Sequence, residues 1–394
     1  MIPPDPNTLT AETEVLVIGA GPAGLAVAGC LRHLGLHPHL IEKADSVASS
    51  WQGHYQRLHL HTVKAHSALP HLPFPRDYPR YVPRQKMVEY LAAYARHFGL
   101  SPSFGEEAVS VERGADGWNV ACRSGRRFRS RFVVVATGAN RVPNLPAFAH
   151  QADYQGQVMH SRAYRDPAPF AGQRVLVVGL GNTGAEIALD LATQGVPVTV
   201  SVRSPVNLVH RDILGRPTQL TAILISRLPA WLGDALAKLL RDVTVGDLRP
   251  YGLQTSPVSP LRQLREEGRT PVIDVGTLAL IKSGAIQVRP GIQAFTADGV
   301  RFTDGSEEAF DAVILATGYQ PNVSSLFQGI SVPLGVKDMP ATVTGTGALD
   351  GVYFVGFDVQ QGGGMLRSIA MEAMEVADAI GARIENPDRT LRTG

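Results

Sequence analysis

A glycine-rich turn between a short apolar run and a helix-forming segment constrains the fold of this chain most strongly. The run Val15–Ile18 has the composition of a buried parallel strand, and Gly19-Ala-Gly-Pro-Ala-Gly24 opens a segment with helical periodicity. The first glycine permits a tight turn, the second lets a diphosphate approach the backbone, and the third lets the helix pack on the strand. The sequence therefore predicts a dinucleotide-binding unit.

An acidic residue follows this turn at the end of the next predicted strand. Glu42 comes directly after His39-Leu-Ile41, where a carboxylate can accept hydrogen bonds from the hydroxyl groups of a ribose. The diphosphate is expected at the positive end of the helix. Because a ribose-binding acid suits FAD, we assign the first turn to FAD.

A second turn of the same kind lies farther along the chain. Gly179-Leu-Gly-Asn-Thr-Gly184 again follows a predicted strand, Arg174–Val178, and opens a predicted helix. The next strand ends at Arg203 and Ser204, without an acid. A cation there fits the 2′-phosphate of NADPH, which a carboxylate would repel; the alternative is an ordinary solvated arginine. We therefore expect NADPH at the second turn.

The two halves of the chain repeat one architecture. The glycine turns are 160 residues apart, and Ala136-Thr137-Gly138 recurs as Ala316-Thr317-Gly318 after 180 residues. Strands that alternate with helices predict an α/β fold with two Rossmann-like dinucleotide-binding domains. We expect a discontinuous FAD domain at residues 1–158 and 322–394, with an NADPH domain inserted at 159–321.

Two further segments carry functional signals. Gly356-Phe357 begins a glycine-rich stretch before the last predicted helix, whose start can stabilise negative charge on a reduced flavin. A flexible surface loop is the alternative for this stretch. The helical and irregular insertion 205–271 has an apolar face that includes Leu224 and Trp231. We expect this face to form a lid or an aromatic substrate site, or equally a homodimer surface.

The overall composition argues against several classes of function. Lys and Arg total 37 against 35 Asp and Glu, so no charge excess indicates a nucleic-acid partner or an anionic membrane. The two cysteines, Cys30 and Cys122, form neither a CxxC motif nor a metal-ligand spacing, so we expect no metal and no disulfide framework. No transmembrane segment or signal peptide is predicted, which favours a cytoplasmic protein.

The segment between the two halves carries a family resemblance. Tyr154-Gln-Gly-Gln-Val-Met-His160-Ser-Arg-Ala-Tyr164 resembles the FxGxxxHxxx(Y/F) fingerprint of class B flavin monooxygenases, with tyrosine in place of the leading Phe. The segments Arg57–Lys64 and Pro271–Leu278 look like the YUCCA branch, whose members act on indole-3-pyruvate. The resemblance covers nearly the whole chain. Departures include Val63, where the branch has proline, and an unusual triple glycine near the C-terminus.

The resemblance implies a reaction with two cofactors and O2. NADPH reduces FAD, the reduced flavin and O2 form a C4a-(hydro)peroxyflavin, and one oxygen atom enters a small organic substrate. An aryl-pyruvate, through oxidative decarboxylation, or a soft nitrogen or sulfur nucleophile is the expected substrate. Tyr164, where the Baeyer–Villiger fingerprint ends in Trp, argues against ketone oxygenation. The alternatives are an NADPH-dependent flavin reductase or oxidase, and a redox-sensing module without turnover.

The motifs and the resemblance together give a set of candidate site residues. His61, Lys64 and Asn182 are the candidate catalytic residues, although five histidines fall between positions 54 and 71, so each is also a candidate for a structural role. We expect His160 to couple NADP+ binding to domain position. The predicted cofactor-binding residues are Gly19, Gly21, Pro22, Ala23, Gly24, Glu42, Lys43, Trp51, His61, Thr137, Gly138, His160, Gly179, Gly181, Asn182, Thr183, Gly184, Arg203, Ser204, Ala316, Thr317, Gly318, Gly356 and Phe357.

Overall fold

Each glycine turn lies between a parallel strand and a helix in the computed structural model, which describes residues 11–386. The strands are β1 (Ala11–Ile18), β2 (His39–Glu42), β3 (Ser103–Phe104), β4 (Ala108–Gly114), β5 (Gly117–Cys122), β6 (Arg127–Val135), β7 (Val142–Pro143), β8 (Gln157–His160), β9 (Val175–Val178), β10 (Val198–Ser201), β11 (Leu208–His210), β12 (Asp212–Ile213), β13 (Arg216–Pro217), β14 (Val272–Asp274), β15 (Ile286–Arg289), β16 (Ile292–Phe295), β17 (Gly299–Phe302), β18 (Glu307–Ala309), β19 (Ala312–Leu315), β20 (Tyr319–Gln320) and β21 (Val352–Phe354). The helices are α1 (Pro22–His33), α2 (Ser49–Gln52), α3 (Arg84–His97), α4 (Asn182–Thr193), α5 (Thr218–Ile225), α6 (Ala230–Val245), α7 (Pro260–Glu267), α8 (Thr277–Lys282) and α9 (Met365–Glu385).

The first sheet contains strands from both ends of the chain. Its order is β3-β2-β1-β6-β5-β4, and β21 pairs in parallel with the end of β6. The start of β6 pairs with β5 as an antiparallel hairpin. Val15 to Ile18 are buried because apolar side chains pack on both faces of the sheet, with α1, α3 and α9 on one face. The return of β21 and α9 explains why the first unit is discontinuous in sequence.

The second sheet is entirely parallel, with the order β15-β10-β9-β19-β8. Its central strands are apolar runs that are buried on both faces, as parallel strands between helices require. Because β8 begins at Gln157, the boundary predicted at 158/159 falls inside a strand of this sheet. The two connections between the units, β7 and β20, pair with each other in an antiparallel manner.

The insertion 205–271 folds against the second unit. β11 pairs in parallel with β14, β12 and β13 form a short hairpin, and α5, α6 and α7 follow. Large apolar side chains on α5 and α6 are exposed, among them Leu224, Trp231, Leu239 and Val243. The insertion therefore presents one apolar face to the outside in addition to the face that packs inward.

Residues 11–386 contain neither a membrane-spanning helix nor a cluster of metal ligands. No helix in this range has the length and apolar character needed to cross a membrane. No cluster of three or more His, Cys, Asp or Glu side chains in the same range is arranged to hold a metal ion. Cys30 and Cys122 are both free and buried.

Candidate functional site

The first glycine turn leaves open space at the start of α1. Gly19 has a φ of 110°, and a Cβ there would lie 2.6 Å from the carbonyl oxygen of Ala136. A Cβ on Gly24 would lie 1.8 Å from the oxygen of Gly19, whereas one on Gly21 would meet nothing within 4 Å. No side chain caps α1, which has Pro22 in its first turn. An uncapped helix start with free space in front of it fits a diphosphate.

Glu42, the last residue of β2, is buried beside this turn. Its carboxylate accepts hydrogen bonds from the N–H groups of Ala20 at 2.7 Å and Ala44 at 3.0 Å. The hydroxyl of Ser49 lies 3.4 Å from the same carboxylate. The Ala20 contact brings the acid and the glycine turn together, and ribose binding by Glu42 stays a prediction.

The second glycine turn repeats this geometry. Gly179 has a φ of 101°, and a Cβ there would lie 2.8 Å from the oxygen of Ala316. A Cβ on Gly184 would lie 2.0 Å from the oxygen of Gly179, and one on Gly181 would again meet nothing within 4 Å. No side chain caps α4 at its start, where Thr183 lies in the first turn. Both turns therefore have room for a dinucleotide in front of a helix.

The strand register allows a residue-by-residue comparison of the two turns. In each unit the residue before the turn pairs with a residue near the end of the next strand. One position after that paired residue lies Glu42 in the first unit and Val202 in the second. Two positions after it lie Lys43 and Arg203. Arg203 and the neighbouring Ser204 are exposed. The second unit thus lacks the carboxylate that would repel a 2′-phosphate and offers a cation next to that place.

The repeated Ala-Thr-Gly segments pack against the glycine turns. Ala136 and Ala316 each donate an N–H hydrogen bond of 2.9 Å to the last residue of the strand before the turn. The glycines of the two segments, Gly138 and Gly318, have φ values of 87° and 85°. The hydroxyl of Thr137 is buried and has no hydrogen-bond partner within residues 11–386. This orphaned polar group at the first turn is available to a ligand.

In the second unit the corresponding hydroxyl is already paired. Thr317 donates to the carbonyl oxygen of Asn144 at 2.6 Å. Asn144 precedes the second unit, so this bond ties the connection between the units to the second Ala-Thr-Gly segment. The two segments are therefore alike in backbone and differ in how their threonines are used.

The C-terminal glycine-rich stretch packs closely against the helix start at the first glycine turn. A Cβ on Gly356 would lie 2.8 Å from the Cβ of Ala23, so glycine is required for this close approach. Phe357 is buried in the core. Glu372 of α9 accepts the N–H of Gly356 at 2.7 Å, and burial raises the pKa of Glu372 to about 7. A titratable carboxyl thus holds the segment that contacts the predicted flavin site.

His160 links the fingerprint segment to the second unit. Its Nδ1 accepts the N–H of Arg162 at 3.1 Å, and its Nε2 lies 3.1 Å from the carbonyl oxygen of Gly318. Because Nδ1 accepts, Nε2 carries the proton and donates it to Gly318. Burial lowers the pKa of His160. His160 therefore positions the end of β19 and the connection back to the first unit.

His61 lies at the boundary between the two units. Its Nε2 is hydrogen-bonded to the carboxylate of Glu186 on α4, and its Nδ1 is buried without a partner in the described part of the chain. Sequence reasoning missed Glu186. One signal for it was present: Glu186 follows Asn182 by one helical turn, so both lie on the same face of α4.

Lys64 and Trp51 make contacts of a structural kind. The ammonium group of Lys64 donates to the carbonyl oxygens of Arg76 at 2.8 Å and Tyr78 at 2.5 Å, and so fixes the loop that contains them. Lys64 lines neither of the two cavities beside His61. Trp51 is partly buried against the core of the first unit. This arrangement gives no support for a catalytic role of Lys64.

An apolar cavity of about 270 Å³ lies between the insertion and the C-terminal glycine-rich stretch. Its walls come from α5, α6 and α7 and from residues 358–365, and its lining includes His61 and Asn182. The amide of Asn182 also ties α4 to β14, since it donates to Pro271 at 3.1 Å and accepts from Ile273 at 2.7 Å. A mostly apolar cavity with a few polar groups is typical of a small-molecule site.

A second cavity, of about 590 Å³, shares His61 and Arg211 with the first. Its lining adds Arg57, Arg80 and Glu186. The concentration of arginines at its wall favours an anionic ligand or an anionic part of a ligand. The two cavities thus meet at a histidine and an arginine, with one mostly apolar and the other cationic.

The family model and the curated relatives that match this chain indicate one family. Residues 12–331 match the family model described as flavin-binding monooxygenase-like. The indole-3-pyruvate monooxygenase YUCCA1 of Oryza sativa subsp. japonica is 38% identical over 382 residues, which cover 95% of this chain and 93% of that protein. The indole-3-pyruvate monooxygenase YUCCA6 of Arabidopsis thaliana is 39% identical over 329 residues, which cover 81% and 79% of the two chains.

The fold is shared with solved flavin monooxygenases. The flavin-containing monooxygenase from Stenotrophomonas maltophilia superposes with a TM-score of 0.73 at 23% identity, over 95% of this chain and 100% of that chain. These findings confirm the predicted resemblance to the YUCCA-like branch, the α/β fold with two Rossmann-like units, and FAD and NADPH as cofactors. The chain belongs to the flavin-binding monooxygenase-like family, as an NADPH-dependent flavin monooxygenase.

Proposed function

We propose that this enzyme converts an aryl-pyruvate to the arylacetate with one carbon fewer. The observation that carries the proposal is the apolar cavity of about 270 Å³, whose lining includes His61 and Asn182 and is formed largely by the insertion. Such a cavity suits an aromatic ring. The relatives named for activity on indole-3-pyruvate support the same substrate class. In the overall reaction NADPH is oxidised, one oxygen atom of O2 enters the new carboxylate, the other leaves as water, and CO2 is released.

We assign the two nucleotide sites to the two glycine turns. Gly21 and Glu42 would hold the diphosphate and a ribose of FAD, while Gly181 and Arg203 would hold the diphosphate and the 2′-phosphate of NADPH. When bound, FAD accepts the hydride of NADPH and activates O2. The role of the protein is to bind the two nucleotides, to orient them toward the cavity and to exclude water from it.

Arg211 is the proposed contact for the carboxylate of the substrate. It lines both cavities, stacks on the ring of Tyr81 at 4.0 Å and has its Nε 3.4 Å from a carboxylate oxygen of Asp212. Arg216 and Arg262, two other arginines of the insertion that could bind a substrate carboxylate, line neither cavity. Arg211 is therefore the arginine of this group that is placed to meet an anionic head group while the ring lies in the apolar cavity.

A substrate panel tests the proposal. Aryl-pyruvates, aliphatic α-keto acids, amines and sulfides are compared for NADPH oxidation, O2 uptake and product formation by the FAD-loaded enzyme. We expect aryl-pyruvates to give the shortened acid and CO2 in proportion to the NADPH consumed. Oxygenation of amines or sulfides alone would overturn the substrate class, and hydrogen peroxide as the main product with every compound would favour an oxidase.

Several sequence predictions concern the state of the protein rather than its chemistry. The domain boundaries at 158/159 and 321/322, a homodimer, a cytoplasmic location and the lack of a nucleic-acid partner stay predictions. If a homodimer forms, the exposed apolar residues of α5 and α6 are the surface we propose for it.

A further inference from the structure

The contact between His61 and Glu186 joins the two units at the point where the cavities meet. His61 belongs to the irregular stretch before α3 in the first unit, and Glu186 belongs to α4 in the second. The side chains are 20% and 5% exposed, and Nε2 of His61 is hydrogen-bonded to a carboxylate oxygen of Glu186. This pair is thus formed only when both units are in place.

The surroundings of Glu186 place the proton on the histidine. Burial and, next, the negative charge of Glu186 raise the pKa of Tyr55 well above its usual range, and a hydrogen bond to Glu186 contributes to the shift. Tyr55 therefore keeps its proton and donates to the carboxylate. An ionised carboxylate only accepts hydrogen bonds, so in a neutral imidazole Nε2 of His61 is the nitrogen that carries the proton. Nδ1 is then a bare acceptor.

Nδ1 of His61 accepts no hydrogen bond from the part of the chain that the structure describes. Nδ1 of His61 is buried and finds no hydrogen-bond partner among residues 11–386. Buried polar groups are almost always paired, and those left unpaired in a folded protein commonly serve a ligand. The side chain lines both the apolar and the cationic cavity, so ligands in either one come close to it.

We propose that Glu186 is a positioning residue that fixes the tautomer of His61, and that Nδ1 of His61 accepts a hydrogen bond from an N–H or O–H donor of a ligand where the two cavities meet. The donor belongs either to the carboxamide of the nicotinamide nucleotide or to the substrate, as a ring N–H of its aryl group or the O–H of its enol form. Only the second source rests on the proposed function. The step moves no electrons and breaks no bond; it fixes the ligand by one directed hydrogen bond.

The tautomer is measured directly by nitrogen NMR on the FAD-loaded enzyme labelled at histidine. His61→Asn identifies the His61 signals by their loss. We expect a protonated Nε2 and an unprotonated Nδ1 in the unaltered protein, and a proton on Nδ1 there would overturn the proposal without any variant. Glu186→Gln provides an amide that can donate to Nε2, so we expect it to lower the population with the proton on Nε2.

Binding measurements identify the source of the donor. We expect Glu186→Gln to weaken binding of the affected ligand roughly tenfold, because the proton moves to Nδ1 of His61 and the buried donor of the ligand loses its acceptor. An increased Kd for NADP+, measured by titration of the oxidised flavin spectrum, assigns the donor to the carboxamide. An unchanged Kd for NADP+ with an increased KM for the substrate assigns it to the substrate. If the tautomer, the Kd and the KM are all unchanged, the proposal is wrong.

Asp190→Asn is the matched control for these measurements. Asp190 lies one turn farther along α4, is also buried and also accepts a tyrosine hydroxyl, that of Tyr164 at 2.9 Å. It makes no contact with His61, so its loss should leave the His61 tautomer unchanged. A tautomer shift of equal size in Asp190→Asn would show a general effect of charge on α4 and would contradict a specific role of Glu186. The NADP+ titration and the NMR spectra need no turnover, so they stand even if aryl-pyruvates prove not to be substrates.

Discussion

A single arginine distinguishes the two nucleotide sites at the scale of residues. Because only NADPH carries a 2′-phosphate, Arg203→Ala should raise the KM for NADPH by roughly tenfold or more and leave the KM for NADH nearly unchanged. Steady-state kinetics with both nucleotides measure this ratio. Arg249→Ala, which removes an exposed arginine that pairs with Asp247, is the control and should change neither KM. Equal losses for both nucleotides would contradict a contact between Arg203 and the phosphate.

Because of Glu372, the free energy of unfolding should fall as the pH rises. Burial raises its pKa from 4.5 to about 7, so between these values the folded protein holds a proton that the unfolded chain has released. The corresponding stability is fully present below about pH 4.5 and is lost as the pH rises through about 7. The shift corresponds to roughly 3 kcal/mol. The free energy of unfolding in urea, measured from about pH 5 to pH 8, should therefore fall with rising pH.

Two substitutions to glutamine on the same helix show whether Glu372 causes this pH dependence. Glu372→Gln keeps an oxygen acceptor for the N–H of Gly356 and cannot ionise, so it should flatten this part of the pH profile. Glu375→Gln changes an exposed carboxyl on the same helix and should keep the slope of the unaltered protein. A slope that persists in Glu372→Gln would mean that another group controls the pH dependence.

How far single residues could be predicted depends on how local their chemistry is. The glycines of both turns and Glu42 follow a fixed spacing after a strand, so their places could be predicted from the sequence, while their contacts with a nucleotide stay predictions. The sequence places Glu186 on the same face of its helix as Asn182, but the contact of Glu186 with His61, 125 positions away on the other unit, follows from no local pattern. Lys64 became a candidate through the family resemblance of its segment, and the loop that its ammonium group fixes was not visible in the sequence.

At the scale of elements, the strong patterns predicted the structure closely. The segment Gln85–Phe98 has helical periodicity in the sequence and forms the helix Arg84–His97, and the apolar runs before both glycine turns are buried strands. The pairing of β11 with β14 was not predicted, because each strand has three residues and the partners lie on opposite sides of the insertion helices. Short strands of this kind depend on tertiary contacts more than on their own periodicity.

The first glycine turn allows binding and folding to be separated by two alanine substitutions. Gly21 has a φ of −79°, which alanine tolerates, and no atom within 4 Å of the added Cβ. We expect Gly21→Ala to leave the melting temperature of the apoprotein unchanged and to reduce its FAD content, since the methyl group occupies the proposed place of the diphosphate.

Gly24→Ala is the counterpart that affects folding. Its Cβ would lie 1.8 Å from the oxygen of Gly19, so α1 must move away from β1, at a cost of about 1–3 kcal/mol or more. A lowered melting temperature of the apoprotein is the expected result. Gly181→Ala, the match of Gly21→Ala in the second unit, should weaken NADPH and spare FAD. Loss of FAD in Gly181→Ala with normal stability would mean that the two sites are assigned the wrong way round.

At the scale of the whole molecule, the site depends on three distant parts of the chain. The apolar cavity is lined by the insertion, by His61 from the first unit and by residues 358–365 near the C-terminus. The backbone N–H of Val63 donates to Gln219 at 2.7 Å, and Gln219 in turn donates to Gly363 at 2.5 Å, which ties the three parts together. From the sequence the insertion could be a lid, a substrate site or equally a dimer surface, whereas the cavity exists only through the mutual arrangement of these parts.

A bulky substitution inside this cavity tests whether the whole arrangement serves the substrate. Ala237 lines the cavity on α6, and Ala237→Trp should fill much of its roughly 270 Å³. We expect product formation from aryl-pyruvates to fall by at least tenfold while FAD content and the NADPH oxidation seen without substrate persist, because neither glycine turn is touched. Ala235→Trp, two residues earlier and exposed, adds the same side chain outside the cavity and should keep full activity. If Ala237→Trp forms product as well as Ala235→Trp does, the substrate binds elsewhere, and the cationic cavity becomes the next place to test.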